Sequence, residues 1–235
     1  MSANDYVLVQ GLKDTRGALE RWQRDPGPVL RDWFAWSMVV TAGLLTVVWI
    51  VAGVATPDLT LVEIPGVSYE PAATDIAGVL ARNSLVLALH ATACVAGFIA
   101  GSSLRHEAAR REGLSRLVHE KAGPIAIAFV VAATCFSLMT QAYILGSSAS
   151  TLADQLGVTT TTLMLTVLPH AVPELVALFL PLAAWLIASR RDEWQDLLAA
   201  TLVTVLVAIP ILVVSAMIET YVWPRLLVEA SPRVV

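Results

Sequence analysis

The chain has 235 residues, of which 57% are hydrophobic and 14% are charged, with a net charge of −4. Soluble domains of this size are about 45–50% apolar and about 25% charged, so this composition argues against an ordinary soluble protein and favours one that lies in a membrane. The small net charge indicates little, because in a membrane protein the distribution of charge along the chain carries the information.

The first 35 residues are polar and precede the first apolar stretch. Within this predicted N-terminal segment, residues 11–24 place Leu12, Leu19 and Trp22 on one face of a helix and charged residues on the other. Such a helix either lies on the cytoplasmic membrane surface or is solvated all round. The sequence alone favours neither arrangement.

Five stretches of the chain are long and apolar enough to cross a bilayer as helices. A spanning helix needs about 20 apolar residues to cross roughly 30 Å of hydrocarbon. The predicted spans are residues 36–55, 80–101, 124–145, 160–188 and 197–222, and the second can begin as early as Ala72. We therefore predict an all-α polytopic bundle over residues 36–224, in the inner (plasma) membrane, with an external tail at residues 225–235.

Basic residues alternate between successive connecting segments. They occur before span one (Lys13, Arg16, Arg21, Arg24, Arg31), after span two (Arg105, Arg110, Arg111, Arg116, Lys121) and after span four (Arg190, Arg191). The segments at residues 56–74 and 146–159 contain no Lys or Arg. Because cytoplasmic loops carry the excess of basic residues, this alternation predicts a cytoplasmic N-terminus and an external C-terminus.

Spans four and five contain polar residues that are costly inside a membrane. His170 and Glu174 are four residues apart and so share one face of span four. The prolines of these spans lack the amide hydrogen of an ordinary helix residue and predict kinks, at Pro169, Pro173 and Pro210. In span five, Glu219 lies in the part predicted to be near the outer surface.

Span two opens with Arg82 and Asn83, and its other end carries Gly97 and Gly101, whose spacing permits close approach of a neighbouring helix. We hypothesise that His170, Glu174 and Glu219 face one outward-opening cavity, with Arg82 and Asn83 at its mouth. The alternative is that these side chains only bond neighbouring helices. A metal site is a further alternative, with His170, Glu174 and His90 as candidate ligands, although a catalytic zinc site needs about three protein ligands.

The run Leu168-Pro169-His170-Ala171-Val172-Pro173-Glu174 resembles the signature of the stage II sporulation protein M family, which has Leu-Pro-His-Gly, an apolar pair and Glu. The resemblance extends to Asn83, to Gly97–Gly101 and to Ile218-Glu219. Two positions depart from the family pattern: Ala171 stands where Gly is usual, and Pro173 where an aromatic residue is common. The residues that match are His170, Glu174, Asn83 and Glu219.

The resemblance implies a membrane anchor or scaffold for partner proteins that degrade peptidoglycan, and relatives also occur in organisms that do not sporulate. The main alternative is a permease or transporter subunit that uses the polar cavity, and an intramembrane enzyme is a lesser one. We expect no cofactor, and we expect the lipid bilayer and other membrane or envelope proteins as partners, with a homodimer also plausible. A nucleic-acid partner is not expected, because the basic residues fit the topology.

Overall fold

The computed structural model of the chain describes residues 7–58, 61–103 and 113–233. Part of the predicted basic loop after span two lies outside the described residues. It includes Arg105, Arg110 and Arg111, and the side chains of Arg116 and Lys121 are likewise not described.

The described residues are almost entirely helical. The helices are α1 (Val7–Arg24), α2 (Gly27–Val54), α3 (Ala73–Phe98), α4 (Gly113–Leu156), α5 (Thr160–Arg191), α6 (Leu197–Tyr221) and α7 (Trp223–Ala230). A π-helical turn, Ile99–Ser103, follows α3, and a 3-10 turn, Trp194–Asp196, precedes α6.

Five helical segments within the described residues are long and apolar enough to cross a membrane. They are Gly27–Val54, Ala73–Gly101, Ile127–Leu156, Thr160–Arg191 and Trp194–Ala230. The predicted all-α fold with five spans is confirmed. The helix of the first span, α2, begins at Gly27, earlier than the predicted residue 36. The helix of the second span, α3, begins at Ala73, close to the earlier limit at Ala72.

The helix α4 extends further than the sequence predicts, because residues 146–156 continue it where we expected a loop. Tertiary contacts explain the extension. A Cβ atom placed on Gly146 would lie 2.6 Å from Cβ of Val51, so the glycine allows the two helices to approach closely. One turn later, the Ser150 hydroxyl donates a hydrogen bond of 2.9 Å to the carbonyl of Ala55. The small polar residues of this segment predict a loop, but in the structure they form the closely packed end of α4.

The segment predicted as an external tail is also folded over its described part, residues 225–233. It includes most of α7, in which Leu227 is only 1% exposed. The Ser231 hydroxyl then donates 2.7 Å to the carbonyl of Leu156, and the Arg233 guanidinium donates to the carbonyl of Asp154. These bonds attach the end of the described chain to the end of α4.

The chain divides into two compact units, and each of the five long helices contributes one part to each unit. Unit 1 comprises Met1–Ser37, Val86–Cys135 and Phe179–Ala208, and unit 2 comprises Met38–Leu85, Phe136–Leu178 and Ile209–Val235. We describe each unit by itself.

Unit 1 has an apolar core that is rich in aromatic side chains, formed by Cys94, Phe98, Trp185, Ala188, Trp194 and Leu197. The two glycines of α3 and its π turn make room for the indoles. A Cβ atom on Gly97 would lie 2.6 Å from Nε1 of Trp185, and one on Gly101 would lie 2.3 Å from Cδ2 of Trp194. Both distances are shorter than any normal contact, so a larger residue at either position displaces an indole ring.

Helix α1 packs on the rest of unit 1 through its small residues. Ala18 is completely buried, and a Cβ atom on Gly11 would lie 3.1 Å from Cζ of Phe98. Leu12, which the sequence places on the apolar face, is 71% exposed instead. An ion pair of 2.7 Å between Arg21 and Asp196 adds a polar contact. Contact with protein therefore orients α1, and of its predicted apolar face only Leu12 is exposed, since Leu19 and Trp22 are half-buried.

Candidate functional site

Unit 2 contains a cavity of about 330 Å³ whose walls carry several charged and polar side chains. The cavity is bounded by the segment between α2 and α3, the first turns of α3, the end of α6 and the start of α7. Its polar and aromatic lining consists of Glu63, Tyr69, Thr74, Asp75, Arg82, Glu219, Thr220 and Trp223. Carboxylates outnumber the guanidinium group by three to one in this lining.

A tight turn at residues 64–69 forms one wall of the cavity. The amide of Gly66 donates 2.7 Å to the carbonyl of Tyr69, and the amide of Ile64 donates 3.1 Å to the hydroxyl of Ser68. Gly66 has a φ of +80°, and a Cβ atom on it would lie 2.8 Å from Cβ of Pro224. Both its backbone conformation and its contact with Pro224 therefore require glycine at this position.

The side chain of Gln155, near the end of α4, fixes the start of the same wall. Its Oε1 accepts 2.9 Å from the amide of Val62, and its Nε2 donates 3.0 Å to the carbonyl of Val62. One residue on the helix thereby satisfies both backbone groups of one residue in the connecting segment. This pairing holds the neighbouring Glu63 in the cavity wall.

Asp75 lies in the first turn of α3 and joins the helix to the turn at residues 64–69. Its carboxylate accepts 2.8 Å from the amide of Ala72 and 3.1 Å from the hydroxyl of Tyr69. An acidic residue at a helix start also interacts favourably with the helix dipole. Desolvation and the Asp75 carboxylate raise the pKa of the Tyr69 phenol, so the phenol stays protonated and remains a donor.

His170 of α5 is buried behind the cavity wall and is only 7% exposed. Its ring packs against the indole of Trp223, with 5.2 Å between the ring centroids. The hydroxyl of Ser215 donates 2.7 Å to the backbone carbonyl of His170, which joins α5 to α6. The indole of Trp223 donates 3.3 Å to the hydroxyl of Thr166. His170 thus supports the residue that lines the cavity.

Glu174 lies one turn further along α5, where its carboxyl group faces the amide of Asn83 and feels the charges of Glu219 and Arg82. Asn83 is 7% exposed. The Asn83 nitrogen Nδ2 and the Glu174 oxygen Oε2 are buried without a hydrogen bond of normal geometry to any described residue. Unsatisfied buried polar groups are costly, so this pair is a point at which a bound group can add hydrogen bonds.

The structure brings four of the five predicted cluster residues into one electrostatic group. Arg82 and Glu219 line the cavity and interact with each other. Glu174 and Asn83 adjoin them and are joined to the lining through Glu219 and Arg82. His170 contributes by packing against Trp223. The candidate site is therefore a lined cavity with the pair of Glu174 and Asn83 beside it.

The structure separates the predicted metal ligands and leaves the predicted helix kinks as predictions. His90 lies in unit 1, where its ring is 5.4 Å from that of Phe179, whereas His170 and Glu174 lie in unit 2. Within the described ranges, no three His, Cys, Asp or Glu side chains are arranged to hold a metal ion. Pro169, Pro173 and Pro210 lie inside the continuous helices α5 and α6. The kinks at these prolines stay predictions.

Among the charged and aromatic residues that line the cavity, sequence reasoning missed four: Glu63, Tyr69, Asp75 and Trp223. Asp75 carries a usable signal, because an acidic residue directly before an apolar stretch is typical of a helix start. The other three come from a connecting segment and from the start of α7. Only the folded contacts of Val62, Gly66 and His170 bring them to the cavity, so no local pattern predicts them.

Comparison with known proteins identifies a family for the second half of the chain. The model of the family described as Stage II sporulation protein M matches residues 125–224. The match includes His170, Glu174 and Glu219, while Asn83 precedes it. It confirms the relationship that the motif on span four predicts. No curated protein and no solved structure matches the chain.

Proposed function

We propose that this membrane protein, related to the stage II sporulation protein M family over residues 125–224, is a scaffold that anchors envelope proteins at the inner membrane. In this proposal the N-terminus lies in the cytoplasm, the C-terminus lies outside, and the cavity of unit 2 faces the outer side. The partner binds the surface around the cavity, which includes Tyr69 and the start of α7.

The observation that supports a scaffold best is the way the short segments of unit 2 are fixed. Side chains of α4 bond directly to the backbone of the segment between α2 and α3, through Ser150, Thr151 and Gln155. Ser231 and Arg233 attach the other end of the unit to α4 in the same way. A surface that is ordered before binding loses less conformational entropy when a partner docks. Short segments held this firmly suit a docking platform.

The packing of α5 supports binding from one side in preference to passage across the membrane. Beyond Glu174 the helix is closely packed, and Phe179, Leu180 and Ala183 are each at most 1% exposed. Of the apolar window of this helix, 72% is buried inside the protein. A route for a polar solute needs polar or open surface along the helix, and α5 carries no charged or hydroxyl side chain between Glu174 and Ser189.

Site-specific photo-crosslinking in native membranes tests this proposal. A photoreactive amino acid replaces Tyr69, which lines the cavity and is 44% exposed. We expect discrete protein adducts, and peptidoglycan-degrading enzymes among them would support the role that the family implies. The matched control replaces Tyr143 of α4, which is 67% exposed on an apolar helix and should react with lipid.

Two results would contradict the scaffold. Adducts at position 69 that match those at position 143 would show that no partner docks at the cavity. Recovery of an extracytoplasmic solute-binding protein as the dominant adduct would favour the alternative, a transporter subunit.

A permease is the second candidate, and the buried pair of Glu174 and Asn83 favours it. Charged groups within membrane spans commonly mark pathways for ions or solutes. In the permease, Glu174→Gln abolishes complementation while the protein still folds, since glutamine keeps the size of the side chain and removes its charge. In the scaffold, the same variant still forms the Tyr69 crosslink. Complementation and crosslinking measured on one variant therefore separate the two functions.

A further inference from the structure

Two buried polar groups beside the cavity of unit 2 have hydrogen-bonding capacity that no described residue uses. Asn83 is 7% exposed, and its Nδ2 donates to no described residue in normal geometry. The Oε2 of Glu174 is also buried and accepts from none of them. The two side chains face each other, so an unused donor and an unused acceptor lie side by side. A ligand that both accepts and donates satisfies the two groups together.

The charged residues of the cavity lining carry both signs. They are the acidic residues Glu63, Asp75 and Glu219 and the basic residue Arg82. Three carboxylates against one guanidinium leave the lining with a net charge of −2. Asp75 already accepts two hydrogen bonds, so the carboxylates of Glu63 and Glu219 are the acidic groups that remain for a ligand.

Arg82 lies along the cavity wall. A Cβ atom placed on Gly78 would lie 4.0 Å from Nη1 of Arg82, so the guanidinium folds back by one turn of α3, over a position that has no side chain. Gly78 also lines the cavity. Arg82 acts on Glu174 and Glu219 through charge alone. Its planar set of donors is therefore available to a carboxylate of a ligand.

A ligand with a single charge leaves part of this site unmatched. A cation would bind Glu174 and Glu219, but it would face the guanidinium of Arg82 and leave the Asn83 donor unused. An anion would bind Arg82 and Asn83, but it would face carboxylates that outnumber the guanidinium. Like charges in contact are costly. A zwitterion, with a carboxylate and an ammonium group on one carbon atom, matches both sets of groups.

From the unused donor and acceptor, the charges of both signs and the cavity, we infer that unit 2 binds a zwitterionic α-amino acid with a small apolar side chain. Its carboxylate accepts from Arg82 and from Nδ2 of Asn83, and its ammonium group donates to Glu174 and Glu219. Its side chain meets the apolar part of the lining, which includes Val62, Ile64, Val79 and Leu152.

The size of the cavity agrees with such a ligand. A volume of about 330 Å³ is at the lower end of the range for ligand pockets, which limits the ligand to a small molecule. This site goes beyond the scaffold role, because the proposed protein partner binds the surface around the cavity and the amino acid binds inside it.

Equilibrium dialysis of the purified full chain in a neutral detergent against radiolabelled L-valine tests this inference. Two competitors keep the branched carbon chain of valine and each lack one charged group. Isobutylamine lacks the carboxylate, and 3-methylbutanoate lacks the ammonium group. We expect saturable binding of one valine per chain. Each competitor should bind at least about tenfold more weakly than valine, because hydrogen bonds to a charged group are lost.

Charge variants identify which side chain meets which group of the ligand. Arg82→Gln should weaken valine binding about tenfold but should not weaken the binding of isobutylamine, which has no carboxylate. Glu219→Gln should weaken both valine and isobutylamine but not 3-methylbutanoate. Arg16→Gln and Glu229→Gln are the controls, since they change exposed charges outside the lining.

Absence of saturable valine binding would overturn the inference, and so would competitors that bind as tightly as valine. Equal losses of valine binding in Arg82→Gln and Arg16→Gln would overturn it as well. The assay contains no partner protein, so its result is independent of the Tyr69 crosslink. Failure of the amino-acid site and failure of the scaffold are therefore distinguishable.

Discussion

The two units use the same long helices for different purposes. In unit 1, Gly97 and Gly101 allow Trp185 and Trp194 to pack in an aromatic core. In unit 2, the same α3 carries Arg82 and Asn83, which adjoin Glu174 of α5 and Glu219 of α6. One part of α3 is therefore specified by volume and the other by charge and hydrogen bonding. The comparison teaches that close side-chain packing and a polar cluster can occupy different parts of a single membrane helix.

Enlarging a glycine in the packed unit should have the largest effect. Gly101→Ala places a Cβ atom 2.3 Å from the Trp194 ring, and overpacking of this kind typically costs roughly 1–3 kcal/mol. We expect a lower melting temperature in detergent. Gly43→Ala in α2 is the matched control, because a Cβ atom there meets nothing within 4 Å and alanine favours a helix by about 0.5–1 kcal/mol over glycine. Equal melting temperatures for the two variants would contradict the packing assigned to unit 1.

Removing the Gln155 side chain should have an intermediate effect, confined to unit 2. Gln155→Ala removes two hydrogen bonds to Val62, each of which contributes about 1 kcal/mol. We expect hydrogen exchange to accelerate by about tenfold or more at the amides of Val62, Ile64 and Gly66. Gln141→Ala is the control, since the hydrogen bond of Gln141 runs within α4, to Ser137 at 3.1 Å. Unchanged exchange in the Gln155 variant would show that the segment is held by other contacts.

The smallest effect is expected at the surface of unit 1. Arg21→Gln removes an ion pair with Asp196 in which the arginine side chain is 58% exposed. Exposed pairs typically contribute about 0.2–1 kcal/mol, so the melting temperature should fall slightly. The fall should disappear at high salt, because salt screens the pair. A large fall that persists in salt would indicate that α1 depends on Arg21 for packing as well as for charge.

The spans were predictable from sequence because the cost of placing polar backbone in lipid leaves few alternatives to a long apolar helix. The His170 and Glu174 face was predictable for a similar reason, since two titratable residues one turn apart are conspicuous in an apolar run. The family relationship followed from the same seven residues. These features are local, so a window on the sequence contains them.

The rest depended on tertiary contacts that no local window contains. Residues 146–156 look like a loop because they are small and polar, yet Gly146 packs on Val51 and Ser150 bonds to Ala55. Helix α1 buries Gly11 and Ala18 most completely and exposes Leu12, which hydrophobicity alone does not predict. In both cases close backbone approach favoured small residues over large apolar ones. Part of the cavity lining was also missed, because Glu63 and Trp223 reach the cavity only through tertiary contacts.

Cysteine labelling in intact cells tests the central claim most directly, namely that unit 2 presents its cavity outside the cell while α1 lies in the cytoplasm. In a Cys94→Ala, Cys135→Ala background, single cysteines replace Leu61 and Leu12, which are 78% and 71% exposed. A membrane-impermeant maleimide should label position 61 in intact cells and position 12 only after permeabilisation. Labelling of both positions in intact cells, or of position 12 alone, would contradict the topology and the placement of the candidate site on the outer side.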